Sequence, residues 1–255
     1  MSIPTLVELA ESGAHFGHHR SLTFPKAKTF IYMVKSNVAL IDLEKTQNAI
    51  ETAQKTITDF KQKNKSIMFV GTKRSVRNVV KEVAETIGAS YITERWFGGM
   101  LTNFSTIREN IKRMNELEDF LASPEAAKLS KKDRLERERR LHRYQRFLKG
   151  ISTLKDMPDL IILASASDDA IAIEEAEQLD IPVMAITDTD MNPTRITYPI
   201  PANDDAPKAI ELILRSIIEA PGSKKAAVKV EAEVEVVTED TNTEDEAPAQ
   251  TEVKE

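Results

Sequence analysis

Two hydrophobic rhythms divide the chain. In the first, short runs that are apolar at every position alternate with longer stretches in which apolar residues recur every three or four positions. Ile67-Met68-Phe69-Val70 with Ser66 before it, Leu160-Ile161-Ile162-Leu163 and Pro182-Val183-Met184-Ala185-Ile186 read as strands covered on both faces. Tyr91-Ile92 predicts a shorter strand. The spacing predicts a helix from Asp42 to about Lys63, with Ala49, Ile50, Ala53, Ile57 and Phe60 on its apolar side. A second helix runs from Val76 to Ile87, with Ser75 to cap it and Gly88 to end it. Others are predicted from Ala170 to Leu179, over residues 204–219 and, briefly, from Thr5 to Glu11. Phe24-Pro25 predicts extended backbone. Phe30–Val34 and Val38–Ile41 predict a hairpin turning at Lys35-Ser36-Asn37. Strands alternating with helices predict the α/β class, a mainly parallel sheet with helices on both faces.

The second rhythm covers residues 105–149, which carry no strand signal. Ile107, Ile111, Met114, Leu117 and Leu121 recur at helical steps, Ala122-Ser123-Pro124-Glu125 interrupts, and Leu135, Leu141, Tyr144 and Leu148 follow on a second helix. This predicts an antiparallel, coiled-coil-like helical hairpin inserted into the α/β body. The handover lies within Glu94 to Met114, where a charged and aromatic corner (Glu94-Arg95-Trp96-Phe97) meets Gly98-Gly99 and then Asn103 at the start of the first helix. Trp96 is expected to pack in this hinge beneath Gly98 and Gly99, and Asn103 to bond its backbone. The predicted organisation is an N-terminal segment (1–27), an α/β body (28–104 and 150–222), the hairpin (105–149) and a tail (223–255).

Charge changes the picture. The net charge of -6 lies wholly in residues 223–255, which hold 4 Lys and 10 acids; the rest carries 31 bases and 31 acids. That tail is poor in large apolar residues and is expected to be disordered. Within the neutral part, residues 128–149 hold 10 bases against 3 acids. Three acids cannot neutralise ten bases through i, i+4 pairs, so the second hairpin helix is expected to meet a polyanion. The chain has no Cys, which excludes disulfides and thiolate metal sites. It shows no span-length apolar run and no signal-peptide pattern, so a membrane partner is not expected.

The residues offer little for enzyme or metal chemistry. Gly71-Thr72-Lys73 follows a strand and precedes a helix, but it lacks the length and second glycine of a phosphate-cradling P-loop, and no G-x-G-x-x-G occurs. Asp188, Asp190, Asp204 and Asp205 stand near strand ends and suit Mg²⁺; Asp204-Asp205 reads better as a helix cap and first-turn acid. His15, His18 and His19 are close in sequence, but Gly17 intervenes and no Cys or neighbouring carboxylate completes a zinc set. They read as a glycine-containing loop. No catalytic residue, cofactor or metal is therefore assigned.

Six segments carry a resemblance. They are His15-Phe16-Gly17-His18, Ile41-Asp42-Leu43-Glu44-Lys45-Thr46, Phe69-Val70-Gly71-Thr72-Lys73, Arg95-Trp96-Phe97-Gly98-Gly99-Met100-Leu101-Thr102-Asn103-Phe104, Pro182–Ile186 and Tyr198-Pro199-Ile200-Pro201-Ala202-Asn203-Asp204-Asp205-Ala206. In this order they resemble the bacterial ribosomal small-subunit protein two family over about residues 3–220. Thr23-Phe24-Pro25-Lys26-Ala27 and Ala164-Ser165-Ala166-Ser167-Asp168 depart from the family's usual Trp-Asn-Pro-Lys-Met and Asp-Pro-x-basic-Glu segments. The resemblance implies a flavodoxin-like α/β/α body with a protruding hairpin and a non-enzymatic, cytoplasmic role in translation. It implies binding to small-subunit ribosomal RNA where head and body meet. It also implies neighbouring small-subunit proteins as partners, including the largest one, which captures messenger RNA. Lys73, Arg74 and Arg77 at a strand end, Arg95 at the corner, Arg108, Lys112 and Arg113 on the first hairpin helix, and Arg137, Arg140 and Arg143 on the second are the expected RNA contacts.

Overall fold

The computed structural model describes residues 3–219, so the tail expected to be disordered lies outside the described residues. Five strands form a parallel sheet: β4 (Ile67–Val70), β5 (Ser90–Ile92), β6 (Leu160–Leu163), β7 (Val183–Thr187) and β8 (Tyr198–Pro201), in spatial order β5-β4-β6-β7-β8. Counted from β4, this is the 2-1-3-4-5 order of a flavodoxin-like doubly wound sheet. A smaller antiparallel sheet precedes it in the chain: β1 (Phe16–His19), β2 (Ile31–Lys35) and β3 (Val38–Ile41), ordered β1-β3-β2. Its hairpin turns on Ser36 and Asn37, both with positive φ (50° and 62°), the geometry of a tight two-residue loop.

The period of two in the strands decides the layers. Ile67 and Phe69 face one side and Met68 and Val70 the other; Leu160 and Ile162 oppose Ile161 and Leu163 in the same way. On the first face lie α1 (Leu6–Glu11), α2 (Leu43–Gln62), α3 (Arg77–Ile87) and α7 (Pro207–Ile218), contributing Leu9, Ile50, Ile57, Val80, Ile210 and Ile213. Each such side chain, fully buried, contributes about 1.5–3 kcal/mol. The second face is covered by α6 (Ala170–Gln178) together with parts of α4 (Phe104–Ala122) and α5 (Lys131–Leu148), through Ile173, Ile111, Met114 and Leu148. The root of the inserted helices is thus part of the second core.

Three expectations change. Residues 16–19 are a strand rather than a loop, because β3 offers them a free edge; Ile41 N–H donates to the His15 carbonyl at 2.8 Å just beyond the pairing. Ser75 does not cap α3, whose first residue is Arg77 after an uncapped Val76. Asp204 and Asp205 do not cap α7, which starts at Pro207. Asp204 instead accepts from the Ser165 and Ser167 hydroxyls at 2.7 and 2.8 Å, and Asp205 pairs with Lys73. Gly88 ends α3 as expected, with φ of 69°.

Candidate nucleic-acid interface

The hinge is built on one residue that the sequence did not announce. Glu175, on α6 and 6% exposed, accepts five hydrogen bonds. Its Oε1 receives the Trp96 indole N–H at 3.0 Å and the Gly99 N–H at 2.8 Å. Its Oε2 receives the N–H groups of Leu101 and Thr102 at 2.9 and 3.1 Å and the Thr102 hydroxyl at 3.2 Å. Burial pushes this carboxyl up, but the bonds from Leu101, Thr102, Trp96 and Gly99 outweigh it and hold it below the usual carboxylate range. The available signal was a single acid among Ala172, Ile173 and Ala176 on the apolar side of α6. A carboxylate in that setting needs buried donors.

The sequence-predicted hinge residues divide. Trp96 is buried and Gly99 takes φ of 91°, which favours glycine. The Asn103 side chain accepts from the Thr106 hydroxyl at 2.7 Å, and its own N–H donates to the Gly99 carbonyl at 3.0 Å. Gly98 is exposed, lacks positive φ and has nothing within 4 Å of where a Cβ would stand. Gly150, which the sequence did not single out, is sterically required: a Cβ there would collide with the Tyr91 carbonyl oxygen. It lets the end of α5 lie directly on β5.

Two further contacts fix that end. Arg146 donates to Glu94 at 2.7 and 2.9 Å, and the Phe147 ring meets Phe97 edge-on at 5.1 Å. Glu94 also pairs with Arg77 at 3.2 Å, whose guanidinium donates to the carbonyls of Thr72 and Glu94. Glu94 therefore pairs with these two arginines rather than with adjacent Arg95.

α4 and α5 are joined through a 3₁₀ turn at Pro124–Lys128 and pack against each other, with Gln145 donating to Glu118 and Arg137 lying over Phe120 at 4.8 Å. Leu141, Tyr144 and Leu148 turn toward α4; Leu135 does not, and stays 47% exposed. Every residue from 131 to 140 is exposed. Among the described residues, the sole ion pair within α5 is Arg134–Glu138 at 2.9 Å. Arg140 stacks on Tyr144, and Arg143 has no ion-pair partner among the described residues. On α4, Lys112 and Arg113 make exposed i, i+4 pairs with Glu116 and Glu109 at 3.8 and 3.5 Å, contacts worth little in water, while Arg108 has none among the described residues.

At the carboxyl end of the parallel sheet the chemistry is different. Lys73 donates to Asp205 and to the Asp204 carbonyl and lies 3.5 Å from Asp168. Partial burial lowers the Lys73 ammonium, but the bond to Asp205 and the neighbouring carboxylates raise it above its ordinary value overall. The Thr72 hydroxyl donates to buried Asp169 at 2.8 Å. In this fold the crevice beyond the strand ends is where nucleotides bind. Here it is lined with carboxylates that repel phosphate, and its one P-loop-like lysine is already neutralised. Arg74 and Arg95, nearby in sequence, are exposed and lack ion-pair partners among the described residues. The expected cations thus separate into two held by internal bonds, Lys73 and Arg77, and an exposed set.

A family model described as Ribosomal protein S2 matches residues 9–223. A Thermus thermophilus protein named small ribosomal subunit protein uS2 is 41% identical over 215 residues, covering 84% of this chain and 84% of its own. One of the same name from Helicobacter hepaticus is 41% identical over 216 residues, covering 85% and 82%. One from Wolinella succinogenes is 38% identical over 216 residues, covering 85% and 80%.

Proposed function

The chain belongs to the ribosomal protein S2 family, and on that premise we propose that it binds small-subunit ribosomal RNA at the head–body junction and helps dock the largest small-subunit protein. As a family member it is a structural, non-enzymatic component of the small ribosomal subunit, acting in translation in the cytoplasm.

The observation that carries RNA binding is the exposed basic face of α5, where one internal ion pair leaves most of the cations unneutralised. In this reading Arg137, Arg140 and Arg143 meet phosphates, joined by Arg108, Lys112 and Arg113 on α4 and by Arg74 and Arg95 on the body. Lys73 and Arg77 act by shaping the loop that presents Arg74. Residues 105–149 serve as the RNA arm, held at its root by Glu175, Glu94 and Gly150. Open space at Gly98, beside exposed Phe97, suits close approach of a partner backbone. These contacts track shape and backbone rather than sequence.

Sedimentation of the full-length chain from lysate, in low and high salt, tests this. Co-migration with small subunits that is progressively lost as salt rises is the expected result, since each phosphate contact releases counterions. Migration as a free protein at low salt overturns it. Retention indifferent to salt replaces it with attachment through neighbouring proteins.

A further inference from the structure

The corner that leads into α4 shows an aromatic ring to solvent. Arg95, Trp96 and Phe97 alternate exposed, buried and exposed, so Arg95 and Phe97 share the outer side of the corner and Trp96 fills the inner. Trp96 is committed to Glu175 and is 6% exposed, whereas Phe97 is 37% exposed. The tryptophan of this corner therefore serves the core, and the phenylalanine beside it is the ring left for a partner.

The Phe97 ring is held in place. It meets Phe147 at 75° with the centroids 5.1 Å apart, and Phe147 packs against the second core. At that angle Phe147 covers at most one face of Phe97. Next in the chain, Gly98 leaves open space where a Cβ would stand, and its exposed N–H donates to no group among the described residues. Cations flank the ring. Arg95 is exposed and has no ion-pair partner among the described residues. Arg146 is exposed and lies 5.5 Å from the centre of the Phe147 ring.

We infer that Phe97 stacks on an unpaired base of the RNA, with Arg95 on the adjoining phosphate and the bare backbone at Gly98 admitting the sugar. The inference rests on the RNA-binding reading and adds to it a contact that is not electrostatic. The surroundings select the partner. A protein-facing patch joins several apolar side chains, but the exposed groups beside Phe97 are Arg95, Gly98 and Arg146. A nucleotide suits that mixture, because its base offers a flat face to the ring and its phosphate a charge to the arginines. Bases within an RNA duplex are already stacked, so the partner is a loop, a bulge or an end. Stacking tolerates any base, which agrees with binding by shape rather than sequence.

The test uses the full-length chain and small subunits from which it has been washed by high salt. Phe97→Ala and Phe97→Leu, each checked for folding by circular dichroism, should rebind about tenfold more weakly, with the slope against salt unchanged. Phe97→Tyr should rebind as the wild type does. Subunits carrying the wild-type chain are also irradiated with short-wavelength ultraviolet light, and mass spectrometry of the digest should find a nucleotide adduct on Phe97. Phe97→Leu rebinding like the wild type overturns the inference and leaves the RNA-binding reading standing, since leucine keeps the apolar bulk and loses only the ring. Weakened rebinding with no adduct on Phe97 overturns it in favour of a protein contact. Wild-type rebinding that is indifferent to salt overturns the RNA-binding reading, and the stacking with it.

Discussion

The Trp96 indole N–H donates to Glu175 at 3.0 Å, although 79 residues and the whole inserted helix pair separate the two in the chain. The bond closes the insertion at its base: the corner that leads into α4 is held by the helix that follows the return into the body. With the Glu94–Arg146 pair on the other side, α5 leaves from a fixed root.

Replacing Glu175 with Ala removes the acceptor for three backbone N–H groups, one indole and one hydroxyl. Unsatisfied buried donors cost about 1–3 kcal/mol each before water compensates, so a net loss of roughly 3–5 kcal/mol is expected. Urea unfolding measures it, and Trp96, the sole tryptophan, reports loosening as a red-shifted emission. Because the carboxyl is held below its ordinary value, its contribution is present at neutral pH. It is lost only as pH falls below the ordinary carboxylate range and through the folded-state value. Unchanged emission and midpoint in Glu175→Ala count against this role.

Gly150→Ala forces the α5 root off Tyr91, at a cost of about 1–3 kcal/mol as for other overpacked sites. Gly98→Ala enters open space and should change stability by less than about 0.5 kcal/mol. Thermal unfolding of both variants separates the glycine that serves packing from the one that does not. Equal losses contradict the geometry.

Changing Arg137, Arg140 and Arg143 together to Glu reverses the exposed basic face without touching the core. Small-subunit incorporation should fall while the circular dichroism of the body is kept. The salt dependence of residual binding should flatten by about 0.7–0.9 in log–log slope per lost phosphate contact. Normal incorporation sinks the RNA-arm reading.

Asp169 titrates in the opposite sense to Glu175. Burial raises its carboxyl from 3.8 to about 6, against hydrogen bonds from Thr72 that lower it. The folded state keeps a proton that the unfolded chain releases between about pH 4 and pH 6. Stability from this position therefore falls as pH rises through that window and is level above it. Relative to Asp169→Asn, the wild type should lose on the order of 2–3 kcal/mol across the window, at 1.36 kcal/mol per unit. Denaturant titrations from about pH 4 to pH 7 measure the difference, and parallel profiles refute the assignment.

The α/β class and its layer order were legible because they rest on local periodicity. Ile67 to Val70 and Leu160 to Leu163 are short runs apolar at every position, as expected of strands covered on both faces, and the helical stripes of α2 and α7 follow from their spacing. The basic excess of residues 128–149 was legible for the same reason, since a count of charges needs no coordinates. The strand at Phe16–His19 was not, because its partner edge is β3 and a strand's pairing is a tertiary fact. Nor did the sequence show that Lys73 is held by Asp205 or that Asp204 serves two serines instead of a helix end. Glu175, Gly150 and the meeting of Phe97 with Phe147 depend on segments far apart in the chain. Periodicity reports which face of an element is buried; only the fold decides which distant group fills that face, and so which charges remain free.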